Sequence, residues 1–293
     1  MQEGRRSGSS LELGLLLLAN AVGGSSAIMI KASTIHPVLQ ASYRLLCGGI
    51  LLAPLFFRDL RRTGRRLSFA LVARSILPGI VLGLHFIAWI AGARMTLAGN
   101  ATVIVTMVPV VMPFLVYLTT RELPRKAEVI GTLVAIAGIA ILAAFDFRLE
   151  RAHFGGDLVC LAAMVFYAIY LVLARRYAPA EGIMTYLVPL YLSGGVFCFL
   201  ASLPFASPVK GITSADILMT LGLALGPTIV GHSLMNRAMT KLPPQTVSLF
   251  NLAQFIVAIA LAFFLFGELP GPEFAVASLL IAAGVAIPVI FRK

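Results

Sequence analysis

The chain of 293 residues is 59% hydrophobic and only 12% charged, whereas soluble domains run near ~45–50% apolar and ~25% charged; this leaves too little charge for a water-facing skin and excludes disorder as well. Its three cysteines, Cys47, Cys160 and Cys198, all sit in apolar runs and make no disulfide framework. The net charge of +11 lies in short clusters between apolar runs, such as Arg58 to Arg66, which reads as membrane-side anchoring and not as a nucleic-acid surface.

An all-α membrane protein remains. A crossing needs about 20 mostly apolar residues, and ten such runs are predicted. The first, 12–31, follows Arg5 and Arg6, and its Leu11 to Ala21 stretch has the look of a cleavable signal peptide; apolar character continuing from Val22 to Ile30 favours a span. Asn20, Gly24, Ala27 and Lys31 share one stripe. Its small residues suit close helix packing, while the Asn20 amide needs polar partners and is a candidate for lining a cavity. In the second run, 38–57, Arg44 either meets a substrate carboxylate or follows the commoner habit and snorkels past Pro37 to the outer interface. The third, 69–93, carries His85 and Trp89 at i, i+4. The fourth, 96–119, holds Pro109 and Pro113, simple kinks or a hinge.

The fifth run, 127–145, follows Glu122-Leu123-Pro124. The sixth, 156–175, puts Tyr167 and Tyr170 on one face, as stacking groups for an aromatic substrate, as interfacial anchors or as packing. After the seventh, 183–204, the eighth, 214–238, has Gly226-Pro227 as a second kink or hinge, then His232 and Asn236 at i, i+4. The ninth, 245–266, shows Ser248, Asn251 and Gln254 at steps of three, a polar stripe that a lipid-facing helix would not hold. The tenth is 272–291. No stretch is left for a soluble domain. With the N-terminus in the cytoplasm, seventeen of the 23 Lys and Arg fall inside and five outside, with both termini inside.

The chain nearly repeats at an offset of 146. Glu122-Leu123-Pro124 returns as Glu268-Leu269-Pro270, and Ala135 to Ala140 matches Ile281 to Ala286, with Gly138 and Gly284 in register. Asn100 and Gln245 open the fourth and ninth spans at a similar offset, and His85 and His232 lie 147 apart. Two halves, 1–148 and 149–293, each with five spans, enter the membrane from opposite sides. The expected architecture is therefore ten transmembrane helices as a 5+5 inverted-topology repeat, the layout of alternating-access carriers; a static bundle is the plainer alternative.

The basic N-terminus, the Gly- and Ser-interrupted first helix ending in Lys31, Arg44 seven residues after Pro37, and the run past Pro109 to Glu122 that returns at Glu268 together resemble the EamA-type members of the drug/metabolite transporter superfamily. The resemblance covers essentially the whole chain and is strongest to aromatic amino-acid exporters of the YddG type. It implies a ten-helix exporter of amino acids or related metabolites in the bacterial inner membrane, compatible with a monomer, with a small-molecule substrate and the lipid bilayer as partners. The superfamily's small multidrug exporters place a carboxylate within the first helix; here Asn20 is the deep polar residue and Glu12 lies at the cytoplasmic end.

The expected substrate site near the midplane comprises Asn20, His85, Trp89, Tyr167, Tyr170, His232, Asn236, Asn251 and Gln254, with Pro109, Pro113, Gly226 and Pro227 as hinges. Histidine has an unperturbed pKa of ~6.5, so either His85 or His232 could serve a proton-linked step, or simply bond a neighbouring helix. No metal or cofactor motif occurs: no His-Glu-x-x-His, phosphate loop or zinc-spaced cysteines. A broad drug or metabolite effluxer of the same fold is the rival reading. A membrane-embedded enzyme lacks a nucleophile–base set.

Overall fold

A computed structural model describes residues 2–96, 98–146, 151–266 and 272–291, and among these helix is the only regular element. In chain order they are α1 Gln2–Gly24, α2 Ser26–Lys31, α3 Pro37–Thr63, α4 Phe69–Met95, α5 Ala98–Thr106, α6 Val108–Thr120, α7 Lys126–Asp146, α8 Arg151–Tyr177, α9 Met184–Ser202, α10 Ser214–Leu223, a π-helical stretch Ala224–His232, α11 Ser233–Lys241, α12 Pro244–Asn251, α13 Ala253–Phe266 and α14 Pro272–Ile290. Eight helical stretches among the described residues are long and apolar enough to cross a bilayer, from Ser10–Lys31 to Pro244–Leu261, and Phe274–Ile290 is a shorter apolar helix. The protein is a multi-pass membrane protein. The predicted fifth and tenth runs lie on α7 and α14. Glu268-Leu269-Pro270, Arg148, Arg292 and Lys293 lie outside the described residues.

Of the runs that the hydropathy pattern makes continuous, three are interrupted and one more is locally widened. The first breaks at Ser25, whose hydroxyl donates to Val22 O at 2.7 Å. The fourth breaks at Met107, just before Pro109 at the start of α6, where proline has no amide to continue the ladder. The ninth breaks at Leu252. The eighth stays helical but widens to π around Pro227, and the Thr228 hydroxyl bonds Leu223 O, five residues back, at 2.9 Å.

Helices in lipid gain little from burying apolar surface, so close packing at small residues holds them together. The main seams are α3 on α9, α4 on α8 and α9, and α7 on α14. At the first, a Cβ on Gly49 would stand 2.7 Å from Leu192 Cδ2, and one on Gly195 2.7 Å from Leu46 Cδ2. The two contacts exchange under the 146-residue offset. The α7–α14 seam behaves alike: Gly131 lies against the Gly284 carbonyl, and a Cβ on Gly138 would stand 2.8 Å from Ala277 O.

Polar groups bond one another toward both ends. Where α2, α4 and α10 meet, Lys31 donates to Thr96 O at 2.9 Å and Arg94 to Ile35 O and Gln40 Oε1, each at 2.6 Å. The buried Asp216 carboxylate accepts there from Ser33, Thr34 and Thr213. At the other end Arg175 pairs with Glu122 and Arg237 with Glu12, and Glu128 accepts from Arg125 and Thr246.

Candidate functional site

The breaks in the first and ninth runs and the π stretch of the eighth meet α3, α4, α5 and α8 around one cavity. It measures about 40 Å³, room for about three waters at ~10–15 Å³ each. Half of its character comes from rings. His85 stacks on Tyr167 with centroids 4.7 Å apart and meets Ala163 O through Nδ1 at 2.9 Å. His232 lies 6.0 Å from His85 and edge-on to Phe86 at 4.9 Å. Trp89 reaches the wall as well, its indole N–H held by Ser26 Oγ at 3.1 Å.

The other half is amide and guanidinium. Gln254 Nε2 donates to Asn20 Oδ1 at 3.0 Å and to Asn251 Oδ1. Asn20 Nδ2 in turn bonds Leu16 O at 2.7 Å, a link within its own helix. The Gly23-Gly24 pair lets this chain of amides form, since a Cβ on Gly24 would stand 2.7 Å from Gln254 O. Arg44 is fully buried at 1% exposure. Its guanidinium lies 3.8 Å over the Phe86 ring, and Nε donates to Thr228 Oγ1 at 3.0 Å. The expected snorkelling past Pro37 is therefore overturned. Phe86 and Thr228 give the charged head a planar seat inside the bundle, which the long stem reaches without leaving it.

Of the residues expected at the site, His85, Trp89, Tyr167, His232, Asn251 and Gln254 line the cavity. Asn20 stands behind Gln254 as its support. Tyr170 and Asn236 bond each other, and Asn236 also bonds His232 O at 2.6 Å; neither is on the cavity wall. Among the proposed hinges Pro227 is on the wall, and a Cβ on Gly226 would stand 3.2 Å from Val22. The Pro109 carbonyl accepts from Gln245 Nε2 at 3.0 Å. Pro113 lines a separate cavity of about 250 Å³ beside Glu122 and Arg125. Phe86 and Thr102 belong to the wall and were absent from the expected site, and Arg44, for which contact with a substrate carboxylate was the less common of two readings, is on the wall too. For Arg44 the signal was present, a cation about two turns inside an apolar run.

Among the described residues no Asp or Glu lines this cavity, and none join His and Cys in a group of three or more that could hold a metal. The arrangement can bind a small molecule through ring faces and hydrogen-bond donors.

A solved crystal structure superposes on 95% of this chain and 98% of its own with a TM-score of 0.75 at 17% identity, a likeness of fold. A Bacillus subtilis (strain 168) protein described as "Uncharacterized transporter YetK" is 24% identical over 265 residues, covering 84% of this chain and 77% of that protein. The EamA-like transporter family matches twice, over residues 10–144 and 154–290. Those two matches span nearly the whole sequence, and the chain belongs to the EamA-like transporter family.

Proposed function

We propose that this transporter exports amino acids, aromatic or large and neutral, across a bacterial inner membrane by alternating access. The observation that carries the reading is the central cavity: stacked and edge-on rings of His85, Tyr167, Phe86 and His232 with amide groups of Asn251 and Gln254 beside them. Rings suit a bulky side chain. Wall residues come from both halves of the sequence, as a midplane site between repeats requires.

The proposal includes ten crossings, two five-helix halves at 1–148 and 149–293, and cytoplasmic termini. Support comes from the double family match, the seventeen-to-five bias of Lys and Arg, and the seams at Gly49/Gly195 and Gly131/Gly138, whose contacts interchange under the repeat offset. The cavity of about 40 Å³ is too narrow for an amino acid, so cargo entry demands that one wall open. The interrupted helices supply segments able to tilt separately.

Counterflow in proteoliposomes tests this. Internal phenylalanine or leucine is expected to drive uptake of labelled phenylalanine, with saturation. Indifference to every amino acid in a panel of large neutral ones would refute the reading.

A further inference from the structure

We propose that Arg44 is the anion subsite of the carrier, receiving a single carboxylate of the cargo and selecting apolar or aromatic carboxylates from neutral and cationic analogues. The inference rests on the cavity being the cargo site and sharpens what can occupy it.

A guanidinium in a low-dielectric interior without a counter-charge is costly, and structural buried arginines are found paired. Arg44 has none: the ion pairs between described residues all involve other side chains. Its contacts fix its position without neutralising it. Nε is held by Thr228 Oγ1, and Thr228 spends its own hydroxyl hydrogen on Leu223 O. One face is covered by Phe86 at 3.8 Å. Nη1 remains buried with no acceptor among the described residues. The planar fork of a guanidinium matches the two oxygens of a carboxylate, which an ammonium does not.

The rest of the wall points the same way. Asn251 Nδ2 and His232 Nδ1 are likewise buried without partners among the described residues, and both residues line the cavity with Arg44. Asn251 Nδ2 can only donate, and the imidazole nitrogen can donate in one tautomer. A wall with spare donors, one fixed positive charge and no carboxylate among the described residues is complementary to an anion. The adjoining Phe86, Trp89 and Tyr167 rings then take the apolar remainder. An amino group on the cargo would meet neutral acceptors such as the Gln254 amide oxygen, so carboxylates with and without it both fit.

The purified full chain, in detergent and in proteoliposomes, is tested with two matched pairs: 3-phenylpropionate against 3-phenylpropanol, and phenylalanine against phenylalaninamide. The wild type is expected to bind the acid of each pair about 10- to 100-fold more tightly, the worth of hydrogen bonds to a charged partner. In Arg44→Gln the preference should fall below about threefold, with partial recovery in Arg44→Lys. Unliganded Arg44→Gln should melt no lower than the wild type, because an uncompensated buried charge has been removed; a purely structural arginine would lower it. Equal wild-type binding of acid and alcohol overturns the proposal with no variant needed, as does a preference that survives in Arg44→Gln. A 3-phenylpropionate preference with no binding of phenylalanine keeps the Arg44 subsite and discards amino acids as cargo. Equal binding of phenylalanine and its amide does the reverse.

Discussion

Asp216 clamps the turn between α2 and α3 to the start of α10, and Asp216→Asn isolates what that clamp contributes. One carboxylate oxygen accepts from Ser33 Oγ at 2.8 Å and Thr34 N at 2.6 Å. The other accepts from Thr34 Oγ1 at 2.9 Å, Thr213 N at 3.0 Å and Thr213 Oγ1 at 2.7 Å. Hydroxyls can rotate to accept from an amide, but a backbone N–H cannot. Each oxygen faces one backbone N–H, so either orientation of the new amide sets a donor against a donor. That orphaned N–H costs about 1–3 kcal/mol, and weakening the remaining charged bonds adds about 1 kcal/mol. A loss of about 2–4 kcal/mol at ~2–3 °C per kcal/mol lowers the melting temperature by about 4–12 °C. Thermal unfolding of the purified protein, followed by loss of the monodisperse peak in size exclusion, reads the shift. Ser33→Ala, which removes a single hydroxyl, should cost about 1 kcal/mol. A melting point for Asp216→Asn within 1 °C or so of the wild type would refute the reasoning.

Three further outcomes are expected. Gly131→Ala drives a methyl into the Gly284 carbonyl and should destabilise by about 1–3 kcal/mol, whereas Gly14→Ala, with nothing within 4 Å of the added carbon, should be neutral or gain up to about 1 kcal/mol of helix propensity; paired melts decide it. His85→Ala removes the ring stacked on Tyr167 and should weaken aromatic cargo by about 0.5–1.5 kcal/mol, seen as a roughly 2- to 12-fold rise in the half-saturating concentration of phenylalanine counterflow, with leucine less affected. Single cysteines at positions 122 and 268 should react with an impermeant thiol reagent from opposite faces of the membrane; labelling from the same face would end the inverted arrangement.

Hydropathy made the helices legible, because twenty apolar residues in a row have few structural options in lipid. It could not show where they break. Met107 and Leu252 are ordinary helix formers, and only Pro109 hints at the first of these breaks. Helical spacing placed His85 and Trp89 on one face, and both reach the cavity. The same spacing misplaced Asn236. Asn236 keeps its one-turn register with His232, but spacing cannot show that its amide is drawn off the wall by Tyr170 and by the His232 carbonyl. Of the two readings of Arg44, snorkelling failed for a related reason: the contacts that settle the side chain are remote in sequence. Snorkelling is a property of the side chain, but the seat formed by Phe86 and Thr228 comes from α4 and the π stretch, distant in sequence. The small-residue seams were open to reading: Gly48-Gly49 and Gly194-Gly195 stand at the repeat offset and mark where α3 and α9 touch.

The narrowness of the central slot bears on what it could conduct. A space with room for about three water molecules is far too short to bridge a hydrocarbon layer about 30 Å thick, and bonded charged side chains lie toward each end of the bundle. In this shape the slot by itself gives protons no continuous water column across that layer.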